Sequence, residues 1–246
     1  MANLVNCRPS WPMRLGVLLV SVAIAGALPA NAQEAPDIAE PMVFDLVRPL
    51  GAKRGELEVN ALAQQNLSGP DRTIEWAPEI ELAVADGFAV ELELPLEGRH
   101  VTAYKIGLQG TFGLLNQGRG IHGVQYLGVW NRAERRWESS LLYILGNRFS
   151  RRVSTLTMVG IGDVSSAGRS ERALLVNHTS FYDASDATTL GVEVNARLGR
   201  ERSVLVMPQL HQSLSPRLDV QAGVGAIWRS EEAWRPRAGV RLVRQL

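Results

Sequence analysis

Two sets of side chains in this sequence have types and spacings suited to chemistry. The first is His178-Thr179-Ser180, with Glu193 in the next alternating run. A histidine and a serine two positions apart share one face of a strand, and a hairpin partner can supply an acid. The trio then reads as base, nucleophile and orienter for acyl transfer. A hydrogen-bonded pair beside a polar interior accounts for His178 and Ser180 without catalysis. The second set is electrostatic. Glu56, Glu58, Glu75, Glu79, Glu81, Glu91, Glu93 and Glu97 fall largely at alternate positions early in the chain, and Arg217, Arg235, Arg237 and Arg241 lie near its end. Lys105, Glu193, Arg197 and Asp219 add charge between them. Alternate positions of a strand share a face, so these groups become an acidic and a basic wall wherever the strands enclose an interior. Opposed walls orient a small charged or zwitterionic solute. The same residues also fit an ion-pair network that only holds the wall together, since an isolated charge away from water is costly.

The elements that must position them are strands. Around Asp86-Gly87 the sequence runs Ile74, Trp76, Pro78, Ile80, Leu82 and Val84, then Phe88, Val90, Leu92, Leu94 and Leu96 on one face, with glutamates and alanines on the other. A period of two on both sides of Asp-Gly predicts an antiparallel hairpin. One face wants oil and the other carries carboxylates, which suits a barrel with lipid outside and a polar lumen. Similar runs follow at Leu57–Gln64, Tyr104–Leu114, His122–Trp130, Trp137–Gly146, Val153–Gly162, Ala173–Tyr182, Leu190–Leu198, Val204–His211, Leu218–Trp228 and Trp234–Leu246. The amphipathic signal is weak from Trp137 to Tyr182, where Leu142 and Ile144 spoil the polar face. Pro78, Pro208 and Pro236 each remove a ladder donor inside a predicted strand and require a bulge or a rim position.

The fold expected is therefore all-β, a transmembrane antiparallel up-and-down barrel of twelve strands with a short N-terminal arm. Runs of about ten residues match the 9–11 needed for a tilted crossing. Trp76, Phe88, Tyr104, Phe112, Tyr126, Trp130, Trp137, Tyr143, Trp228 and Trp234 fall on the apolar face as an interfacial girdle; as an alternative they fill the core of a soluble β-sandwich. Gly107, Gly113, Gly123, Gly191, Gly223, Gly225 and Gly239 fall on the inner face, where they leave room for long neighbours.

Residues 1–32 read as a leader: Arg14, the apolar run from Leu15 to Leu28 and the small residues of Pro29-Ala30-Asn31-Ala32 predict cleavage after Ala32. A membrane anchor is the alternative. Translation from Met13 would leave the same leader. Residues 33–52 form an irregular periplasmic arm or a partial plug, and 53–246 the barrel. Cys7, the only cysteine, leaves with the leader, so no disulfide is expected. Without Arg8 and Arg14 the balance is 24 basic against 25 acidic side chains, which gives no reason to expect a nucleic-acid partner. His100, His122, His178 and His211 are scattered and no phosphate loop is complete, so neither a metal nor a cofactor is expected.

The leader, the acidic alternation from Ala77 to Phe88 and the hairpin series over Glu56–Leu246 resemble Gram-negative outer-membrane β-barrel proteins. They are most similar to the transporter-like barrels grouped near the phenol-degradation meta-pathway outer-membrane proteins. That resemblance implies a place in the outer membrane, contact with its lipid, delivery by periplasmic chaperones and the barrel-assembly machinery, and passage of a small solute. Leu246 stands where such barrels usually end in an aromatic. The one-residue spacing of His178 and Ser180 also resembles the outer-membrane lipid A deacylases, which implies a lipid-acting hydrolase as a further reading. A non-conducting structural barrel is another.

Overall fold

The computed structural model describes residues 35–164, 172–230 and 232–246. The expected leader and its cleavage site lie outside the described residues, as does most of the polar link after Asp163. Twelve strands follow one another: β1 (Leu57–Asn66), β2 (Glu75–Ala85), β3 (Phe88–Glu93, resumed at Leu96–Glu97), β4 (His100–Val101, resumed at Ala103–Leu115), β5 (Gly120–Asn131), β6 (Arg136–Arg148), β7 (Val153–Gly162), β8 (Ala173–Ser185), β9 (Thr188–Leu198), β10 (Ser203–Ser215), β11 (Leu218–Arg229) and β12 (Arg235–Gln245). The break in β3 falls at Pro95, which has no N–H for the ladder, and Thr102 N bridges it by donating to Pro95 O at 2.9 Å.

Each strand pairs antiparallel with its chain neighbour, and β12 closes on β1 with Glu58 opposite Gln245 and Asn66 opposite Arg237. The structure is thus a closed antiparallel barrel without free sheet edges, not a two-sheet sandwich. Its polarity is inverted relative to a soluble core: on β3 Leu92 is 60% exposed while Glu91 is fully buried. The strands begin and end at two rims. The near rim is where β1 starts and β12 finishes; the far rim lies at the opposite end.

Pro78 lies opposite Ala61 and Pro236 opposite Ala226, so both keep their places in the ladder. Beside Pro208 the β10–β11 pairing lapses between Val206 and Gln209. On β4 the inward and outward sides differ from the sequence pattern at Gly113, expected on the inner face but paired with the outward His122, and at Leu114. A bulge on β4 at Gly113, with φ of +147°, shifts the alternation and turns Leu114 into the interior.

Residues 35–56 do not stay outside. Asp37 O accepts a hydrogen bond from Arg148 at the near rim; Met42 to Phe44 reach Glu193 midway along β9; Gly51 N then donates to Thr111 Oγ1, back towards that rim. The segment is a re-entrant loop threaded into the barrel from the near rim. Leu46 and Leu50 pack with Ile121, Leu142, Ile144, Leu156, Met158 and Phe181, and Met42 packs with Leu205 and Met207. The weak middle strands are explained: their inner faces are apolar because the arm covers them.

Candidate functional site

The functional site begins at the seam where β12 meets β1 and β2. Arg241 is 2% exposed. Its Nη2 donates to Glu79 Oε1 at 2.6 Å, its Nε to Asn60 Oδ1 at 3.0 Å and its Nη1 to the Pro41 carbonyl at 3.3 Å. Glu81 lies 3.4 Å away on the same guanidinium. Arg237 pairs with Glu75 and donates to Asn66 Oδ1 at 3.0 Å. The geometry follows from parity and closure, because β1 lies between β12 and β2 and the inward positions of all three strands share one side of the wall, with Asn60 of β1 between Arg241 and Glu79.

The arm contributes charges of its own. Arg48, buried, donates to Glu58 Oε2 at 2.5 Å and to Glu56 Oε2 at 3.2 Å. Lys105 Nζ bridges Asp45 and Glu93 and lies 3.2 Å from Glu91 Oε1. Burial pushes the Glu40 carboxyl up to about 8; Glu58 and Glu79 add to the rise, and Arg241 and Arg48 oppose it. The tip is held from the other wall. Glu193, fully buried, accepts backbone N–H groups from Met42 and Val43 at 3.0 Å each and from Phe44 at 2.6 Å. Asn195 Nδ2 supports the same carboxylate at 2.8 Å, and Gln209 Oε1 accepts a further bond from Met42 N at 3.2 Å.

Above the tip, on the far side, lies a cavity of about 280 Å³. Met42, Val43 and Asp45 form its floor, and Glu75, Glu79, Glu93, Glu97, Lys105 and Arg241 stand in its walls. Carboxylates dominate it, with the two cations set among them. Such a chamber can orient a small polar solute, and the arm lies beneath it.

The remaining expected wall residues are distributed unevenly. Glu58, Glu81, Glu91, Glu193, Arg237 and Arg241 are buried in the interior, and Glu75, Glu79, Glu93 and Lys105 border it. Arg197 borders a second far-side cavity of about 240 Å³ beside Val43 and Arg237. Glu56 precedes β1 at the near rim and Asp219 bonds Ser213 Oγ there, while Glu97 is exposed at the far rim. Two assignments are corrected. Arg217 sits in the β10–β11 turn, exposed, because the strand ends at Ser215 before the alternation reaches it. Arg235 opens β12 at the far rim and pairs with Glu232 at 3.4 Å instead of entering the acidic wall.

The acyl-transfer trio does not assemble. His178 Nε2 and Ser180 Oγ are 3.1 Å apart and His178 Nδ1 is 2.9 Å from Thr157 Oγ1, all on the outer face. Glu193 pairs in register with Thr179, so it projects through the other side of the wall to hold the arm. All ten expected girdle aromatics face outward. Trp76, Tyr104, Trp130, Trp137, Trp228 and Trp234 gather towards the far rim, and Phe88, Phe112 and Tyr143 towards the near one. Tyr126 sits further inside β5 and accepts a bond from Trp137 Nε1 at 3.3 Å.

Sequence reasoning missed the arm's Glu40, Asp45 and Arg48. The available signal was three charged residues among apolar ones in a segment without strand alternation. It also missed Gln109 and Gln125, whose amides hold the arm carbonyls of Arg48 and Asp45.

Fold and site together define a closed β-barrel with an apolar exterior, a charged lumen and an internal plug. No protein-family model and no curated protein matches the chain. Among solved structures it is similar to the COG4313 outer membrane channel from Pseudomonas putida F1, with 13% identity, 82% of this chain and 100% of that one covered, and a TM-score of 0.62. It is also similar to the KdgM porin, at 9% identity over 77% of this chain and 99% of that one, with a TM-score of 0.60. At these identities the likeness is one of fold, shared with outer-membrane channels and porins.

Proposed function

We propose that this chain is an outer-membrane barrel of a Gram-negative bacterium that binds a small charged or zwitterionic solute in the far-side cavity. The solute passes when the arm shifts. The observation that carries this reading is the cavity itself, a chamber of about 280 Å³ walled by carboxylates, Lys105 and Arg241 and floored by a segment that is not part of the wall. The apolar exterior, the aromatic belts and the fold shared with outer-membrane channels support the location. Lipid contact and delivery through periplasmic chaperones and the barrel-assembly machinery follow from that location. A cleaved leader of residues 1–32 belongs to the same reading.

Conductance of the folded protein in planar bilayers tests it. Ion-selective steps are expected, enlarged when residues 35–50 are removed, with the reversal potential displaced by Arg235→Glu at the far rim. A folded barrel that stays silent with and without the arm would overturn the reading in favour of a structural envelope protein. That second reading draws on the arm, which satisfies the interior as a core does. The finer kinship with the phenol-degradation group is tested separately, by whether an aromatic hydrocarbon competes for the apolar inner surface of Leu142, Ile144 and Met158 that Leu46 now covers.

A further inference from the structure

We propose that Asp45 of the arm and Glu79, Glu91 and Glu93 of the β2–β3 wall form a site for a hard divalent cation of the calcium type, which clamps the arm to the barrel. The inference stands whether or not the barrel conducts. One oxygen from each of the four carboxylates lies within 4.8 Å of all the others. Oxygens on opposite sides of one calcium ion are separated by about twice the Ca–O distance of 2.3–2.6 Å, so the grouping has the size of a coordination shell.

Glu91 supplies an independent sign. It is fully buried; Lys105 Nζ lies 3.2 Å from its Oε1 but is shared with Asp45 and Glu93, and its Oε2 meets no hydrogen-bond donor. Both oxygens of a buried carboxylate ordinarily have donors or a cation. The register makes the need sharper: Glu79 stands opposite Glu93 and Glu81 opposite Glu91, like charges facing each other across the β2–β3 ladder. Lys105 Nζ bridges Asp45, Glu91 and Glu93, and Arg241 reaches Glu79 while also serving Glu81. Arg48 also comes within 3.8 Å of Glu81 but is shared with Glu56 and Glu58, so Lys105, Arg241 and Arg48 leave the five carboxylates Asp45, Glu79, Glu81, Glu91 and Glu93 short of positive charge. The far-side cavity borders Asp45, Glu79, Glu93 and Lys105. It gives an ion a route in and gives the Lys105 ammonium a place to withdraw. Three ligands come from one hairpin and the fourth from the arm, so occupancy ties the plug to the wall.

The test is calorimetric titration of the folded, EDTA-stripped protein with calcium chloride at fixed ionic strength, with tryptophan-sensitised terbium luminescence as a second readout. A saturable site is expected, with a dissociation constant on the order of 10⁻⁴–10⁻³ M, as in extracellular calcium modules. Asp45→Asn, which alters only the arm, weakens it, and Glu91→Gln abolishes it. Lys105→Gln tightens it by roughly tenfold, because a fixed like charge a few ångströms away is removed. No saturable binding to the wild type overturns the proposal, even if Lys105→Gln binds, since Lys105 is then the resident cation. Binding unchanged by Asp45→Asn also overturns it, as does an effect reproduced by sodium chloride of equal ionic strength.

Discussion

At the scale of single residues, Glu193 holds the tip of the arm. Its carboxylate takes three successive arm N–H groups. A hydrogen bond to a charged group contributes about 1.5–3 kcal/mol, and unmaking it in a buried place leaves donors without water. Glu193→Ala is therefore expected to loosen the tip by several kcal/mol while leaving the ladder intact. Cleavage of the arm by added protease should rise in the variant with no change in circular dichroism. Glu40 gives the arm a pH response. Its carboxyl titrates near 4.5 in an open chain and near 8 when the arm is seated, so the proton favours the seated arm. That contribution is complete below about pH 4.5 and is lost as the pH climbs through about 8. Conductance is expected to increase over that interval, and Glu40→Gln to flatten the profile at its low-conductance end. A profile unchanged by the substitution would assign the response to another group.

At the scale of elements, the arm and the strands fit through the inward glycines. A Cβ at Gly107 would lie 2.5 Å from Val47 Cγ2, one at Gly123 2.7 Å from Leu50 Cδ2, and one at Gly223 2.8 Å from Met42 Cε. Gly223→Leu is expected to drive the arm outward and raise conductance. Ala222→Leu, on the lipid side of the same strand, should do neither. Equal effects of the two would mean that strand β11, not the arm, responds. The sequence showed that glycines gather on the inner face, but not what they make room for, because the partner segment has no period of its own. For the same reason Leu142 and Ile144 looked like faults in a polar face; they meet Leu46 and Leu50. Strand parity was legible wherever lipid and polar interior sit on opposite sides, as in β2 and β3. It was lost where both sides are apolar, and at the Gly113 bulge, which a two-residue period cannot register.

At the scale of the whole molecule, closure joins charges that lie far apart in the chain. The acidic alternation before residue 100 and the arginines after 230 were visible in sequence, yet only the β12–β1 pairing sets Arg241 against Glu79 and Glu81. The sequence could not add the arm's Arg48 and Lys105's contact with Asp45, because threading a terminus through a lumen leaves no mark on strand periodicity. The seam makes ring closure and charge balance interdependent. Removing one partner of a buried ion pair costs about 3–5 kcal/mol, since the other charge stays buried without compensation. Arg241→Met should therefore lower the temperature at which the folded, fast-migrating band converts to the slow one on unboiled gels. The double variant with Glu79→Gln should recover part of the loss, because it removes a charge that the first change stranded. If the two losses simply add, Arg241 acts through its bonds to Asn60 and Pro41, and the seam is held by packing rather than by charge.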